Sequence, residues 1–461
     1  MNTAKTKRTL SPYLIVILSF VGVILLGSLL LTIPFAHQDG EWGNYLDSFF
    51  ISTSATCVTG LSTYSKGLAG ELTLFGQVVV LVMIQIGGLG FITIFAFIIS
   101  IFTRRLKFKD RLFLSQAVNS TTVSQVSKFV NRVIIIVLTI ETVGFLLGLP
   151  VFLNLKDVSI EKALWMDLFT SVSAFNNAGF DIFGEYSLLR IAENPILYNM
   201  PLWAYYYMLS YIMVLIILGG ISFVVIIEIF FNKRKPRQWS AFTRIVLLTT
   251  FILLVLGTGT FMLSDVINGN ITPMDAVFQS VTTRTAGFAS TNQDNLSSAA
   301  KTMSCFLMFI GGSPIGTAGG IKTTTLFMIV LSFIRFIQGK NIVAFKRFYN
   351  RLSVIKAMSL VFLAIVIIFV SFTIIIQIEG HREADGFDSE SVLFEVFSAF
   401  GTTGLSTGIT PSLSWGSKIV ICLLMFFGRL GPITLFQIFQ KNMDKEESKH
   451  FKYVETDVII G

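Results

Sequence analysis

Charge is what this sequence most lacks. Of its 461 residues only 13% are Asp, Glu, Lys or Arg, against about 25% in an ordinary soluble domain. A soluble fold of this length could not cover its surface at that density, so that class is excluded. Hydrophobic residues reach 53%, which also excludes disorder, since disordered chains combine low hydrophobicity with high charge. Cysteine is nearly absent. Cys57, Cys305 and Cys422 lie in or beside apolar segments with no CxxC pair, which rules out a disulfide scaffold and a thiolate zinc site. Three histidines, none near another, leave no multi-histidine metal centre. There is no GxGxxG after a strand and no long polar domain, so the chain carries no soluble nucleotide-binding unit. A polytopic membrane protein remains.

Apolar stretches of roughly 20 residues can cross the ~30 Å hydrocarbon core as helices. Eight are expected, at about 12–35, 72–103, 131–153, 199–231, 245–267, 302–338, 354–378 and 418–440. The first follows Lys5, Lys7 and Arg8, but its run is long for a signal peptide, and a retained span is expected. The N-terminus and the segments 104–132, 232–244, 335–356 and 441–452 hold 25 of the 35 basic residues. All fall on one side of an eight-span arrangement, while Asp39, Glu41, Glu379, Glu383, Asp385, Asp388 and Glu390 fall on the other. The positive-inside rule then places both termini in the cytoplasm. The net charge of +8 is thereby explained by the membrane. No basic face with groove-reading elements points to nucleic acid.

Four outward connections carry a moderately apolar segment too short to cross. They read Asp47-SFFISTSATCVTG-Leu61, Asp167-LFTSVSAFNNAG-Phe180, Asp275-AVFQSVTTRTAG-Phe288 and Ser391-VLFEVFSAFGTTG-Leu405. Each has Phe at helical spacing, then small or hydroxyl residues, then one Gly before Leu or Phe. Gly60, Gly179, Gly287 and Gly404 are 119, 108 and 117 residues apart, so the chain reads as four copies of one span–short segment–span unit. Non-helical backbone at membrane depth survives only when buried in protein or lining water. Each segment is therefore expected to be re-entrant, a half-helix descending and a strand climbing back. In the first three an acid (Asp47, Asp167, Asp275) is expected to open the half-helix, where it suits the positive end of the dipole.

No acid precedes the four glycines, so a carboxylate ring is not the selectivity device. Backbone carbonyls are the remaining oxygen source, and four converging strands can replace the hydration shell of a monovalent cation. Glycine allows the backbone geometry such a strand needs. Ordinary membrane glycines serve close helix packing, and Gly87-Gly88-Leu89-Gly90 and Gly219-Gly220 fit that role. Four loop glycines at matching places after four matching half-helices do not.

Span six contains Gly311-Gly312-Ser313-Pro314-Ile315-Gly316-Thr317-Ala318-Gly319-Gly320-Ile321-Lys322-Thr323-Thr324-Thr325. Five glycines and a proline in ten residues cannot remain a continuous helix. The tract is not a P-loop, because Ile321 stands where Gly must precede Lys. It reads as an irregular stretch lining the pore beneath the loops, a simple kink being the alternative. Arg429 lies near mid-depth of the last span, where a charge usually faces a cavity or partner; snorkelling to the inner interface is its alternative. Glu141 and Glu228 are expected to pair locally, and Lys322 fits either the tract or an interface.

The loops TCVTGL, NNAGF, TRTAGF and GTTGLSTG, in that order, resemble the filter loops of the Trk/Ktr/HKT potassium-transporter family. The length and the cytoplasmic termini resemble its bacterial KtrB-type subunit, and the resemblance covers about 12–461. It implies an all-α polytopic membrane protein of four pseudo-fold-related repeats, with eight membrane-crossing helices around one central pore. The expected division is a cytoplasmic N-terminus (1–11), repeats at 12–103, 104–231, 232–338 and 339–440, and a cytoplasmic tail (441–461). Potassium would bind at Val58, Thr59 and Gly60, at Asn177, Ala178 and Gly179, at Thr285, Ala286 and Gly287, and at Thr402, Thr403 and Gly404. The tract 311–325 would gate the pore through Gly311, Gly312, Gly316, Gly319 and Gly320, with Arg429. Potassium channels carry a longer TVGYG-like strand in every copy; three of the loops here lack it, which implies fewer ion sites. The resemblance further implies potassium uptake across a bacterial cell membrane, homodimerisation, and a separately encoded cytoplasmic ring of nucleotide-binding RCK subunits docked on the basic loops. No enzymatic activity, cofactor or transition metal is implied. Potassium is the substrate and sodium a candidate activator. A less selective monovalent-cation channel is the alternative.

Overall fold

Apolar segments interrupted by capping residues and glycine set the element order. The structure, a computed structural model, describes residues 12–90, 126–155, 158–184, 201–232, 235–382 and 386–431. The terminal segments 1–11 and 441–461 and most of the basic segment 104–132 lie outside the described residues.

Four units follow one another along the chain, each with an outer helix, a half-helix and an inner helix. The first has α1 (Pro12–Thr32), half-helix α2 (Tyr45–Cys57), the short α3 (Gly67–Glu71) and α4 (Leu74–Leu89). The second has α5 (Val126–Phe152), half-helix α6 (Ile160–Asn176) and α7 (Leu202–Gly220), with the short α8 (Phe223–Ile227) beyond it. The third has α9 (Ala241–Phe261), half-helix α10 (Pro273–Thr282), α11 (Ser298–Phe309) and α12 (Thr323–Ile337). The fourth has α13 (Arg351–Glu379), half-helix α14 (Ser389–Gly401) and α15 (Trp415–Leu430). A two-stranded hairpin, β1 (Val343–Ala344) with β2 (Arg347–Phe348), joins the last two units.

Among the described residues four helices are long and apolar enough to cross a membrane: Phe129–Phe152, Leu202–Gly220, Ala241–Val266 and Arg351–Glu379. Three shorter apolar helices, Ile17–Thr32, Leu74–Leu89 and Thr323–Ile337, accompany them. Glycines end two of the inner helices. α4 and α15 stop at Gly90 and Gly431, whose φ values are 73° and 77°, left-handed geometry that glycine adopts freely. Their expected continuations to 103 and 440 lie outside the described residues. The outer helices turn large side chains outward, as Phe362 (70% exposed) and Phe369 (67%) of α13 illustrate, while the half-helices are almost wholly buried.

Packing between units closes a ring. α4 packs on α6, α7 on α10, α11 on α14, and α15 on α2. Each inner helix also makes a polar contact near the start of the next half-helix. Trp165 Nε1 donates to Gln77 (2.7 Å), Tyr205 donates to Asp275 (3.0 Å), Lys301 approaches Glu390 (3.9 Å), and Lys418 pairs with Asp47 (2.7 Å). Four half-helices thus descend side by side about a common axis.

Candidate functional site: four loops and a glycine-rich tract at the axis

Capping fixes where each half-helix begins. Asn44 accepts from Leu46 N–H (2.9 Å), Ser159 caps α6, Thr272 and Asp275 form a capping box, and Asp388 accepts from Glu390 N–H (3.2 Å). Asp47 and Asp275 lie in the first turn, as expected. Asp167 does not. The cap at Ser159 starts α6 two turns earlier, Glu161 is its first-turn acid, and Asp167 is buried mid-helix. The fourth half-helix, for which no opening acid was expected, is capped by one.

All four half-helices are followed by a left-handed turn at the same distance from the loop glycine. Two residues before each loop glycine the chain turns left-handed, at Val58 (φ 56°), Asn177 (58°), Thr285 (69°) and Thr402 (51°). In three loops the helix closes with paired hydrogen bonds of the Schellman type, such as Val58 N–H to Ala55 and Thr59 N–H to Ser54 (2.8 Å). The last-turn hydroxyls then brace the strand. Ser54 and Ser398 accept from the N–H of Gly60 and Gly404, each at 3.1 Å. Ser173 and Thr282 donate to the carbonyls of Phe180 and Phe288, each at 2.6 Å.

The glycines meet one another in sequence. A Cβ on Gly60 would lie 2.5 Å from the Ala178 carbonyl oxygen and 3.1 Å from Gly179 Cα. One on Gly179 would lie 2.8 Å from the Ala286 oxygen and from Gly287 Cα. On Gly287 it would strike the Thr403 oxygen, and on Gly404 the Thr59 oxygen. Thus 60 faces 179, 179 faces 287, 287 faces 404, and 404 faces 60. The carbonyls of Thr59, Ala178, Ala286 and Thr403 sit beside these contacts and accept no hydrogen bond among the described residues. All four residues are buried. Such a ring presents oxygen dipoles without net charge, suited to a weakly hydrated cation.

Directly against the half-helix ends lies the tract 310–322, which separates α11 from α12. Gly319 packs on the Thr402 side chain, and Gly311 on Gly319 and Thr285. The tract is pinned by backbone that another break has freed. α7 ends at Gly220, and the Gly219 and Gly220 carbonyls accept from Thr317 N–H (3.2 Å) and Ser313 N–H (3.0 Å). Phe223 N–H in turn donates to the Ile315 carbonyl (2.9 Å). Lys322 donates to the Ala318 carbonyl (2.6 Å), which places it within the tract. Arg429 is half-buried and donates to the carbonyls of Thr317 and Gly87, and at 3.4 Å to that of Gly88. It therefore spans the tract and the end of α4 rather than reaching away from them.

Several of these residues escape a reading of the sequence alone. Arg284, buried within TRTAG, donates to the Gly311 carbonyl (3.2 Å). The inner helices carry a second fourfold signal, GGLG at 87–90, GGIS at 219–222, GGSP at 311–314 and GRLG at 428–431. Gly87, Gly219 and Gly428 press on the carbonyls of Thr56, Phe175 and Phe400, each the next-to-last residue of a half-helix. Arg429 occupies the place held by glycine in the other three. Glu141 is buried in α5 and accepts from Gln85 (3.1 Å) and Asn176 (2.9 Å), linking the first and second units. Glu228 accepts from Ser240 N–H (2.8 Å) and Oγ (2.7 Å) at the start of α9, a local pairing as expected.

Residues 2–451 match the model of a family described as cation transport protein, TrkH. The potassium/sodium uptake protein NtpJ of Enterococcus hirae is 32% identical over 99% of both chains. The Ktr system potassium uptake protein B of Bacillus subtilis is 31% identical over 98% of this chain and 97% of its own. The protein of the same description from Vibrio alginolyticus is 32% identical, covering 97% and 94%. Among solved structures, the crystal structure of the potassium transporter TrkH from Vibrio parahaemolyticus superposes with a TM-score of 0.69 at 18% identity, covering 96% of this chain and 87% of that one. The fold is shared.

Proposed function

We propose that this chain, which belongs to the TrkH family of cation transport proteins, takes potassium into the cell through a pore where its four loops meet. The observation that carries the reading is the ring of unpartnered carbonyls beside Gly60, Gly179, Gly287 and Gly404. In this reading Val58–Gly60, Asn177–Gly179, Thr285–Gly287 and Thr402–Gly404 supply backbone oxygens that replace water around the ion. The half-helix C-termini aim their negative dipole ends at the same point, which favours a cation. Transport involves no covalent step and needs no cofactor.

The tract 311–325 acts as the gate. It lies against the half-helix ends and is held through the freed carbonyls of α7, through Arg284 and through Arg429. Gly311, Gly312, Gly316, Gly319 and Gly320 let it take a second arrangement, as a bistable switch requires. Four repeats, at 12–103, 104–231, 232–338 and 339–440, each contribute one loop. The working form is a homodimer in the bacterial cell membrane with both termini cytoplasmic. It sits on a ring of RCK-type nucleotide-binding subunits that dock on the basic loops, as the naming of two relatives as parts of a Ktr system supports. Sodium acts as activator.

A less selective monovalent-cation pore is the second reading, favoured by the lack of a TVGYG-like strand in three loops and by a relative named for both potassium and sodium. The primary test is growth of a bacterial strain lacking potassium uptake, at low external potassium, with and without a ring subunit. Rescue is expected. Failure of rescue in both conditions, with the protein present in the membrane, would refute potassium uptake.

A further inference from the structure

We propose that an open cleft of about 870 Å³ between the start of α9 and the β1–β2 hairpin binds the phosphate of an anionic phospholipid. Four cationic side chains line it, Arg237, Arg244, Lys346 and Arg347, and no carboxylate does. None of the four forms an ion pair among the described residues. Glu228, the acid in contact with the cleft wall, is buried and accepts from Ser240 and Thr243. Four like charges gathered without a counter-ion repel one another, and a bound anion relieves that repulsion.

Two separate elements hold these charges in place. Ser240 caps α9 by accepting from Thr243 N–H (3.2 Å), so the first turn of a 21-residue helix opens on the cleft. Its dipole favours an anion there. Arg244 donates to the Arg237 carbonyl (2.8 Å), which ties it to the turn Pro236–Gln238 and leaves further guanidinium N–H groups for a ligand. Across the cleft, Phe345 stacks on Phe327 of α12 (6.2 Å between centroids), and Arg335 donates to the Val343 carbonyl (3.0 Å). Both contacts fix the hairpin that carries Lys346 and Arg347. Planar guanidinium groups match phosphate oxygens in pairs.

Position decides between a lipid and a soluble phosphate. Ala241–Val266 is long and apolar enough to cross a membrane, so the cleft at its first turn lies at a membrane surface. From Arg244 a stripe of Leu248 (43% exposed), Phe251 (66%), Ile252 (45%) and Val255 (54%) continues along one face of α9. A headgroup in the cleft places its acyl chains on this stripe, a contact that a soluble phosphate cannot make. Trp239, a side chain suited to the interface, also lines the cleft. Basic pockets beside membrane helices are the sites where anionic headgroups bind.

The inference stands apart from the potassium reading, and its readout is independent of transport. The thermal unfolding midpoint of purified full-length protein in neutral detergent is measured as phosphatidylglycerol, phosphatidylcholine or glycerol 3-phosphate is added. A ligand that binds only the folded state raises this midpoint. Phosphatidylglycerol should raise it well above the other two. Arg237 and Arg347 are exposed, so a double variant, Arg237→Gln with Arg347→Gln, should fold. It should need at least tenfold more phosphatidylglycerol for the same rise, a change of ~1.4 kcal/mol, and Lys346→Gln should fall between. Lys356→Gln, exposed on α13 and outside the cleft, should behave as wild type. Equal rises with the two lipids would overturn the proposal, and a matching rise with glycerol 3-phosphate would give the cleft to a soluble phosphate instead. An undiminished rise in the folded double variant would also overturn it; if that variant no longer co-eluted with a ring subunit, the cleft would be a protein dock.

Discussion

Replacing Gly287 by serine tests the carbonyl ring where it is most constrained. The residue has φ +80°, and a Cβ there would meet the Thr403 carbonyl oxygen and lie 2.9 Å from Gly179 Cα and 3.3 Å from Gly404 Cα. Carbon–carbon contacts settle at about 3.5–4.0 Å, so against a 2.9 Å approach the strands must part by about 0.6 Å or more. The Thr403 carbonyl, itself a member of the ring, must turn aside. Left-handed backbone adds about 1–2 kcal/mol for a residue with a side chain, and overpacking typically a further ~1–3 kcal/mol. Neighbouring loops flank Gly287 on both sides, so relaxation in one direction tightens the other. If only ~1.4 kcal/mol of this appears in ion binding, apparent potassium affinity falls tenfold. The assay is potassium uptake kinetics in a strain without its own uptake system, with membrane protein quantified by immunoblot. A well-expressed Gly287→Ser variant with unchanged half-saturation would refute the filter assignment.

Deleting Gly316–Gly320 should raise flux through purified protein in vesicles without a ring subunit, with selectivity retained; lower flux in correctly folded dimers would make the tract structural. Arg429→Ala removes the donors to Thr317, Gly87 and Gly88 and should also raise flux in that assay, while Arg429→Lys, which keeps a charge but fewer donors, should fall between. Ser54→Ala and Ser398→Ala leave the N–H of Gly60 and of Gly404 without its acceptor at 3.1 Å. They should cost about 1 kcal/mol each and raise sodium flux relative to potassium, read by ion competition. Glu141→Ala should lower thermal stability by ~1–3 kcal/mol, because Gln85 and Asn176 lose a buried acceptor, with a matching loss of folded protein on size-exclusion chromatography.

The four loops were legible because the glycine and its preceding half-helix recur as contiguous motifs. The break at 310–322 was legible because glycine and proline act locally on the helix. The start of α6 was misread from one residue. Asp167 sits where Asp47 and Asp275 sit relative to their glycines, but the Ser159 cap adds two turns that spacing alone does not reveal. The turns that end α4 and α15 at Gly90 and Gly431 leave no mark in hydropathy, because Leu89 and Leu430 are followed by further apolar residues. The roles of Ser54, Ser173, Thr282 and Ser398 arise only when the strand folds back on its own half-helix. Arg284 finds its acceptor in the tract beyond α11 of its own unit and Arg429 in two other units, through contacts that no local pattern encodes. The GGLG, GGIS, GGSP and GRLG series is present in the sequence, and aligning it marks Arg429 as the only second-position residue that is not glycine, a reason for its role beyond its depth in the last span.

The central claim is that the carbonyl ring conducts potassium, and rubidium uptake into vesicles containing only the purified full-length protein tests it most directly. External potassium, rubidium, sodium or choline is added in turn as competitor. Potassium and rubidium should suppress tracer uptake at matching concentrations, sodium only at much higher ones, and choline not at all. The account is contradicted if the loaded vesicles take up no tracer beyond empty ones, or if sodium competes as well as potassium.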